Sequence, residues 1–467
     1  MSFFSTFAQA QLPSKVADAL KIAGIPQESV AIYVQPLDVA TPTISHNINS
    51  SLNPASVMKL LTTYAAIDLL TPAYRWKTEI YHDGSLDNGV LNGNLIIKGY
   101  GDPSFKAQEF WRLLMSLQQA GIQEIKGDLV IDKSYFANNV GNAKFANETF
   151  DKEIWRAYNA GPSAFLVNGR STSFKFVATD GGINISQEFA LPEIQIINHM
   201  KLSNADCGEW RSRFGYTVIQ TKHSSIITFS GTFSPKCGER YLELSLLDDG
   251  QYAFYSFKKL WRELGGVFNG GLKIQEVPLD ASKLLEQASE PLGYVVRDIN
   301  KWSNNLMARQ LLLTLAAEKV GLPADEAKGI AAITAWLGQK NLQFDELVIE
   351  NGSGLSRIER ISAQHLGQLL VSAYNSAVMP EYMASFSIAG LDGTAQKRLK
   401  GTHLEGRAHL KTGSIDGVST IAGYVLDNQN RRHVLVMLVN DNKAGASRIA
   451  QDALINCVYQ ESVCQAH

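Results

Sequence analysis

Apolar and polar positions recur along this chain in two rhythms, and together they lay out its elements. Residues 56–70, SVMKLLTTYAAIDLL, place Met58, Leu61, Ala65 and Leu69 at helical spacing until Thr71 and Pro72 stop the run. A helix with one buried apolar face is predicted there. Ahead of it, Ser14–Ala23 reads as a helix and 30–34 as an apolar strand, followed by a polar stretch ending in Asn53, Pro54 and Ala55. At the far end 410–412 looks extended, 420–426 and 433–439 read as strands joined by a turn at 427–430, and 446–459 reads as a closing helix. A helix and strand at one end, answered by a meander and helix at the other, predict one α/β (α+β) domain closed by both ends of the chain. The middle is then an insertion.

Within that middle, two segments follow the same order of helix, glycine turn and strand: one runs through Leu117, Gly121, Gly127 and 128–131, the other through Lys259, Gly266, Gly270 and 271–274. Read as two arms of one inserted domain, they enclose a strand-rich third domain. The expected division is 1–82 with 280–467, then 83–171 with 249–279, then 172–248. Two ordinary αβ units without special relation remain the plainer alternative.

With 467 residues and 45% hydrophobic content, the chain exceeds what one core usually organises and carries enough apolar surface to fold. Lys and Arg number 43 against 45 Asp and Glu, a net charge of −2 that gives no basic surface for a nucleic-acid partner. No run of eighteen apolar residues occurs, so no transmembrane segment is expected, and association at a membrane periphery is left open. The first ten residues, with Phe3, Phe4, Phe7 and Ala8-Gln9-Ala10, read either as the remnant of a clipped export signal or as a frayed terminus. Four cysteines without a Cys-x-x-Cys pair argue against zinc, and neither a metal nor a cofactor is expected. The sequence-local pairing is Cys207 with Cys237 and Cys457 with Cys464; four reduced thiols are the alternative.

Three short motifs carry chemistry. Ser56-Val57-Met58-Lys59 opens the strong helix, where residues three apart share a face, so the Lys59 amine can reach the Ser56 hydroxyl. A lysine takes a serine proton only when its pKa falls from about 10 toward 7 or 8, which burial and a second cation both favour. Ser256 and Lys259 repeat the spacing inside another helix, and Ser256 is expected at the surface. Ser303-Asn304-Asn305 precedes a helix-like run; it can place a hydroxyl and an amide beside Lys59, or simply cap the helix. Ser51-Leu52-Asn53 shows that such tripeptides also recur by chance. Lys411-Thr412-Gly413-Ser414 on a predicted strand can present an ammonium and hydroxyls to a carboxylate.

Taken in order, Ser-x-x-Lys, Ser-x-Asn and Lys-Thr-Gly form the set used by β-lactamases and penicillin-binding proteins. From about Val30 to Val439 the chain resembles the class C low-molecular-mass penicillin-binding proteins, the D-alanyl-D-alanine carboxypeptidase and endopeptidase group. The segments 94–103, NLIIKGYGDP, and 351–357, NGSGLSR, also look like that group. The resemblance implies a transpeptidase/β-lactamase-like domain, an antiparallel sheet flanked by helices, interrupted by two nested inserted domains. It implies Ser56 as nucleophile, Lys59 as its base, Ser303 and Asn305 in the proton relay and substrate amide contact, and Lys411 as anchor for the terminal carboxylate. Thr412, Gly413 and Ser414 would bind the same group, with backbone N–H groups of Ser56 and Ser414 as the oxyanion hole. Arg357, Glu153, Tyr158 and Asp416 fall where the group's side-chain pocket residues sit. The implied substrates are peptidoglycan stem peptides, with β-lactam antibiotics acylating the same serine, in the periplasm. A penicillin-recognising esterase or β-lactamase, and a catalytically silent wall-binding module, are the rivals.

Overall fold

The computed structural model describes residues 12–138 and 151–460. Two compact units divide the chain: Met1–Arg75 with Glu290–His467, and Trp76–Ser289. In the first, six strands form one antiparallel sheet: β1 (Val30–Pro36), β2 (Ile44–His46), β3 (Ser387–Ile388), β4 (Ala408–Ile415), β5 (Val418–Leu426) and β6 (Arg432–Asn440). Their order is β3-β4-β5-β6-β1-β2, with Val30 opposite Val439 and Pro36 opposite His433. The first strand of the chain therefore pairs with the last, which is how both ends close one domain.

All seven residues of β1 are buried, because helices cover both faces of the sheet. Val30, Ile32 and Val34 pack into a core with Val16 and Leu20 of helix α1 (Ser14–Ala23) and with Leu454, Ile455 and Val458 of the last helix, Arg448–Tyr459. The opposite face carries helix α2 (Lys59–Leu70) and its neighbours α3 (Leu292–Trp302), α4 (Asn305–Lys319), α5 (Glu326–Gln339) and α6 (Ala363–Tyr374). The expected single buried face of α2 is an underestimate. Every residue from Lys59 to Ile67 is buried, since the helix runs through the middle of the helical layer.

In the second unit the two arms lie side by side. Strand Leu272–Ile274 runs parallel to Leu129–Asp132 with Leu272 opposite Leu129, and Val267–Phe268 runs parallel to Glu124–Ile125. Strands Lys77–His82 and Ser282–Ala288 pair antiparallel, Lys77 opposite Ala288, and close the unit where the chain enters and leaves it. The junctions accordingly fall at 75/76 and 289/290 rather than 82/83 and 279/280, because a strand goes with the sheet that satisfies its backbone. Residues 172–248 form strands of two three-stranded sheets, and their buried Phe174, Phe176 and Phe229 share one apolar cluster with Ile80, Leu95 and Phe110. A disulfide joins Cys207 to Cys237. Cys464 and the first ten residues lie outside the described residues. Ser256 is fully buried, not at the surface, on the inner side of helix Asp249–Glu263, while Lys259 pairs with Glu263 at 2.6 Å. Among the described residues no helix is long and apolar enough to cross a membrane.

Candidate active site

Ser56 stands in one 3₁₀ turn, Ala55–Met58, that runs directly into α2. Ala55 takes φ 45°, a left-handed value that few residues with a Cβ adopt, so the surroundings must hold it. Asn53 is the clamp. Its Oδ1 accepts from the Ala55 N–H at 2.8 Å, its Nδ2 donates to Ser356 O at 2.8 Å, and its backbone exchanges two bonds of 2.8 and 3.0 Å with the Asn440 amide on β6. Thr420 on β5 adds a 2.7 Å bond to Pro54 O. Two glycines let neighbouring segments press against this turn: a Cβ on Gly354, which sits at φ +78°, would lie 1.9 Å from the Ala55 carbonyl oxygen, and one on Gly413 would lie 2.9 Å from Ser56 N.

Lys59, one residue past the turn, is fully buried. Its Nζ lies 2.9 Å from Ser56 Oγ, donates to Asn305 Oδ1 at 2.6 Å, and donates to the Ser353 carbonyl. Burial first, and the charge of Lys411 second, hold its pKa well below the usual ammonium range, while Glu359 pulls the other way. A neutral amine has two N–H groups and one lone pair. Asn305 Oδ1 and Ser353 O can only accept, so in the neutral form of Lys59 they would take both N–H groups and leave the lone pair facing the Ser56 hydroxyl. The amine can then receive that proton.

Helix packing brings the second motif to the first. Ser303, at φ 58°, ends α3 in a left-handed cap, and the Asn304 side chain caps α4 by accepting from the Met307 N–H at 3.0 Å. The centre of the tripeptide thus caps the helix, while of its flanks Asn305 accepts from Lys59 and Ser303 meets Lys411 rather than Lys59. Lys411, fully buried on β4, donates to Ser303 Oγ at 2.9 Å and to Thr412 O at 2.6 Å, and burial pushes its pKa down to about 7. Thr412 bonds Thr394 at 2.8 Å, and Ser414 is exposed at the end of the same strand.

Other predicted residues lie elsewhere. Arg357 donates to Asp416 O at 2.9 Å and its guanidinium stands 3.7 Å from the Asp416 carboxylate, so these two engage each other in the first unit. Glu153 and Tyr158 belong to the second unit. There Tyr158 donates to Asp151 at 2.5 Å, while the exposed Glu153 accepts from Tyr216 at 3.2 Å. The acid that meets Tyr158 is thus Asp151, which the sequence reading passed over.

Motif reading also missed three supporting residues. Asn53 was legible only as a chance Ser-x-Asn tripeptide, and Thr420 had no signal. Glu359 is buried beneath the 351–357 segment: Oε1 accepts from the N–H groups of Glu350, Asn351 and Gly352 at 3.0 to 3.1 Å, which fixes the loop presenting Ser353 O to Lys59. An acid five residues beyond a Gly-Ser-Gly turn was the only hint available.

A serine at the start of a central helix, a buried lysine on its hydroxyl, a Ser-x-Asn corner and a Lys-Thr-Gly strand together define the serine acyl-enzyme class that contains penicillin-binding proteins and serine β-lactamases. Within that class the match is to one family. The model of the D-Ala-D-Ala carboxypeptidase 3 (S13) family covers residues 12–460, and the chain belongs to that family, as a class C low-molecular-mass penicillin-binding protein. The D-alanyl-D-alanine carboxypeptidase DacB of Haemophilus influenzae is 24% identical over 407 residues, 86% of this chain and 83% of the relative. The crystal structure of penicillin-binding protein 4 from that organism superposes with a TM-score of 0.77 at 23% identity, covering 95% of this chain and 99% of that one. A predatory endopeptidase of Bdellovibrio bacteriovorus, solved with its immunity protein, superposes with a TM-score of 0.55 at 15% identity, covering 92% of each chain.

Proposed function

We propose that this chain is a serine D-Ala-D-Ala carboxypeptidase with DD-endopeptidase activity on peptidoglycan stem peptides, acting through an ester on Ser56. One observation carries the assignment: the buried Lys59 Nζ lies 2.9 Å from Ser56 Oγ while it bonds Asn305 Oδ1 and the Ser353 carbonyl, so that in its neutral form, which burial favours, the lone pair is left for the Ser56 hydroxyl. Ser56 Oγ attacks the carbonyl carbon of the penultimate D-alanine and its proton passes to Lys59. Backbone N–H groups of Ser56 and Ser414 receive the oxyanion. Lys59 then gives that proton to the departing amine by way of the Ser303 hydroxyl, which Lys411 contacts, and, neutral again, serves as base while water hydrolyses the ester. A β-lactam enters the same path, but its leaving amine stays tethered in the adduct and blocks water. Arg357 offers a cation to a substrate carboxylate, with Asp416 orienting it. The Cys207–Cys237 disulfide supports an extracytoplasmic, periplasmic site.

The test is D-alanine release from a soluble pentapeptide, together with cleavage of D,D-cross-linked muropeptide dimers. Release of D-alanine and monomers supports the reading; turnover of penicillin with neither product replaces it with a β-lactamase.

Two further outcomes are expected. Lys411 draws a carboxylate only while protonated, and in the free enzyme that proton is lost as pH rises past about 7. For a peptide ending in a carboxylate, kcat/KM therefore falls toward about tenfold per pH unit above that point. Lys59 has the opposite sign, because the base must be neutral, so its limb lies on the acid side. The same peptide capped as an amide loses the alkaline limb; an identical limb on both substrates contradicts Lys411 as the anchor. Second, Gly354→Ala forces a Cβ into the Ala55 carbonyl and should cost about 1–3 kcal/mol. It should also slow benzylpenicillin acylation at least tenfold, read by thermal melt and adduct formation, and a wild-type acylation rate would show that this contact does not hold the turn.

A further inference from the structure

On the same face of the sheet as Lys411 but toward the opposite edge lies a groove of about 1080 Å³. It opens between the β1–β2 edge with its following loop and one face of α6, where Gln364, Gln368, Val371 and Ser372 recur at helical spacing. Tyr33 and Gln35 of β1 form its floor, and Gly367 lets α6 approach the Tyr33 ring. Sheet order puts β1 three strands from β4, roughly 14 Å at the usual strand spacing, so the groove is separate from the Ser56 site.

Its chemistry is unusual for this chain. Of fourteen lining residues none is charged, although 19% of the sequence is, so nothing there suits a phosphate, an acidic peptide or a cation. In place of charge stand carboxamides. Among the described residues the side chains of Asn49, Gln364 and Gln368 have no protein hydrogen-bond partner, so three amides, each donor and acceptor at once, face the opening. Pro42, Leu342 and Val371 supply apolar patches between them. Paired neutral donors and acceptors beside small apolar patches match a sugar ring, whose hydroxyl and acetamido groups need both partners while its C–H faces need contact. The volume lies at the top of the range for ligand pockets and holds more than one ring.

We propose that this groove binds a neutral N-acetylated hexosamine oligosaccharide, the sugar backbone of the polymer whose stem peptides reach Ser56. The inference rests on the peptidoglycan reading above and deepens it: a second, weak contact raises the local concentration of polymer-borne peptides without touching the chemistry.

The probe is chito-tetraose, titrated into the full chain by calorimetry and by NMR. Binding with Kd on the order of 1 mM is expected for the wild type, and at least tenfold weaker binding for the double variant Gln364→Ala, Gln368→Ala. Both substitutions sit on a helix surface that tolerates alanine, and an unchanged melting temperature confirms the fold. In that variant kcat/KM on a soluble pentapeptide stays at the wild-type value, while D-alanine release from intact sacculi drops several-fold. No saturable binding of chito-tetraose by the wild type, or equal binding by the double variant, overturns the proposal. Loss of pentapeptide hydrolysis by the wild type would instead strike the carboxypeptidase reading, and the sugar titration reads out independently of it.

Discussion

Ser56→Ala should form no adduct with benzylpenicillin and should release no D-alanine, a loss on the order of 10⁶-fold, while the protein stays folded. The size follows from the mechanism, because no other hydroxyl stands 2.9 Å from the Lys59 amine among the described residues. The fold should survive because Ser56 is only half-buried and the turn is held by other groups: the Asn53 clamp, Thr420 on Pro54, and the close approach of Gly354. Lys59 keeps two of its three partners in the variant. Intact-protein mass after brief exposure to the drug gives the answer, with a thermal melt beside it. An adduct of drug mass on the alanine variant would place the nucleophile elsewhere and remove the basis of the functional assignment.

Lys59→Met should slow acylation by about 10²- to 10⁴-fold, the usual worth of a positioned base. Methionine keeps the length of the side chain, so the helix is not left with a cavity. Two acceptors, Asn305 Oδ1 and Ser353 O, lose their donor, at a cost of about 1–3 kcal/mol each where water cannot enter. Set against this is relief from burying an amine whose charge the site disfavours. The pH dependence separates the two effects. Lys59 has a lower pKa folded than unfolded, so the unfolded chain binds more protons, and stability rises with pH up to the unfolded value near about 10.4. Lys411 contributes in the same direction between about 7 and that value. Urea unfolding at pH 7 and pH 9 should therefore show a smaller gain for Lys59→Met than for the wild type. An equal gain would mean that Lys59 is charged in the fold, and the lone-pair argument would fail with it.

The difference between what was legible in the chain and what was not follows the range of the interactions. Helices and strands answer to neighbours within a few residues, and so Ser14–Ala23, the three C-terminal strands and the central helix could be read from periodicity. Boundaries moved where a distant partner decided them: Lys77–His82 left the first unit because Ser282–Ala288, two hundred positions away, satisfies its backbone. The local pair Ser56 and Lys59 was readable because one helical turn sets its spacing. Asn53, Thr420 and Glu359 were not, since each works by a contact with another element and carries no mark in its own surroundings.

By itself the sequence determined the three motifs, the α/β closure by both chain ends and a serine whose lysine shares its helical face, all consequences of short-range geometry. Tertiary structure alone decided the state of that lysine. Burial in the helical layer and Lys411 delivered by β4 lower its pKa, and two acceptors from segments about 250 and 300 residues away hold its amine 2.9 Å from Ser56 Oγ. Proton affinity depends on everything within a few ångströms in space, and only the fold brings those groups together.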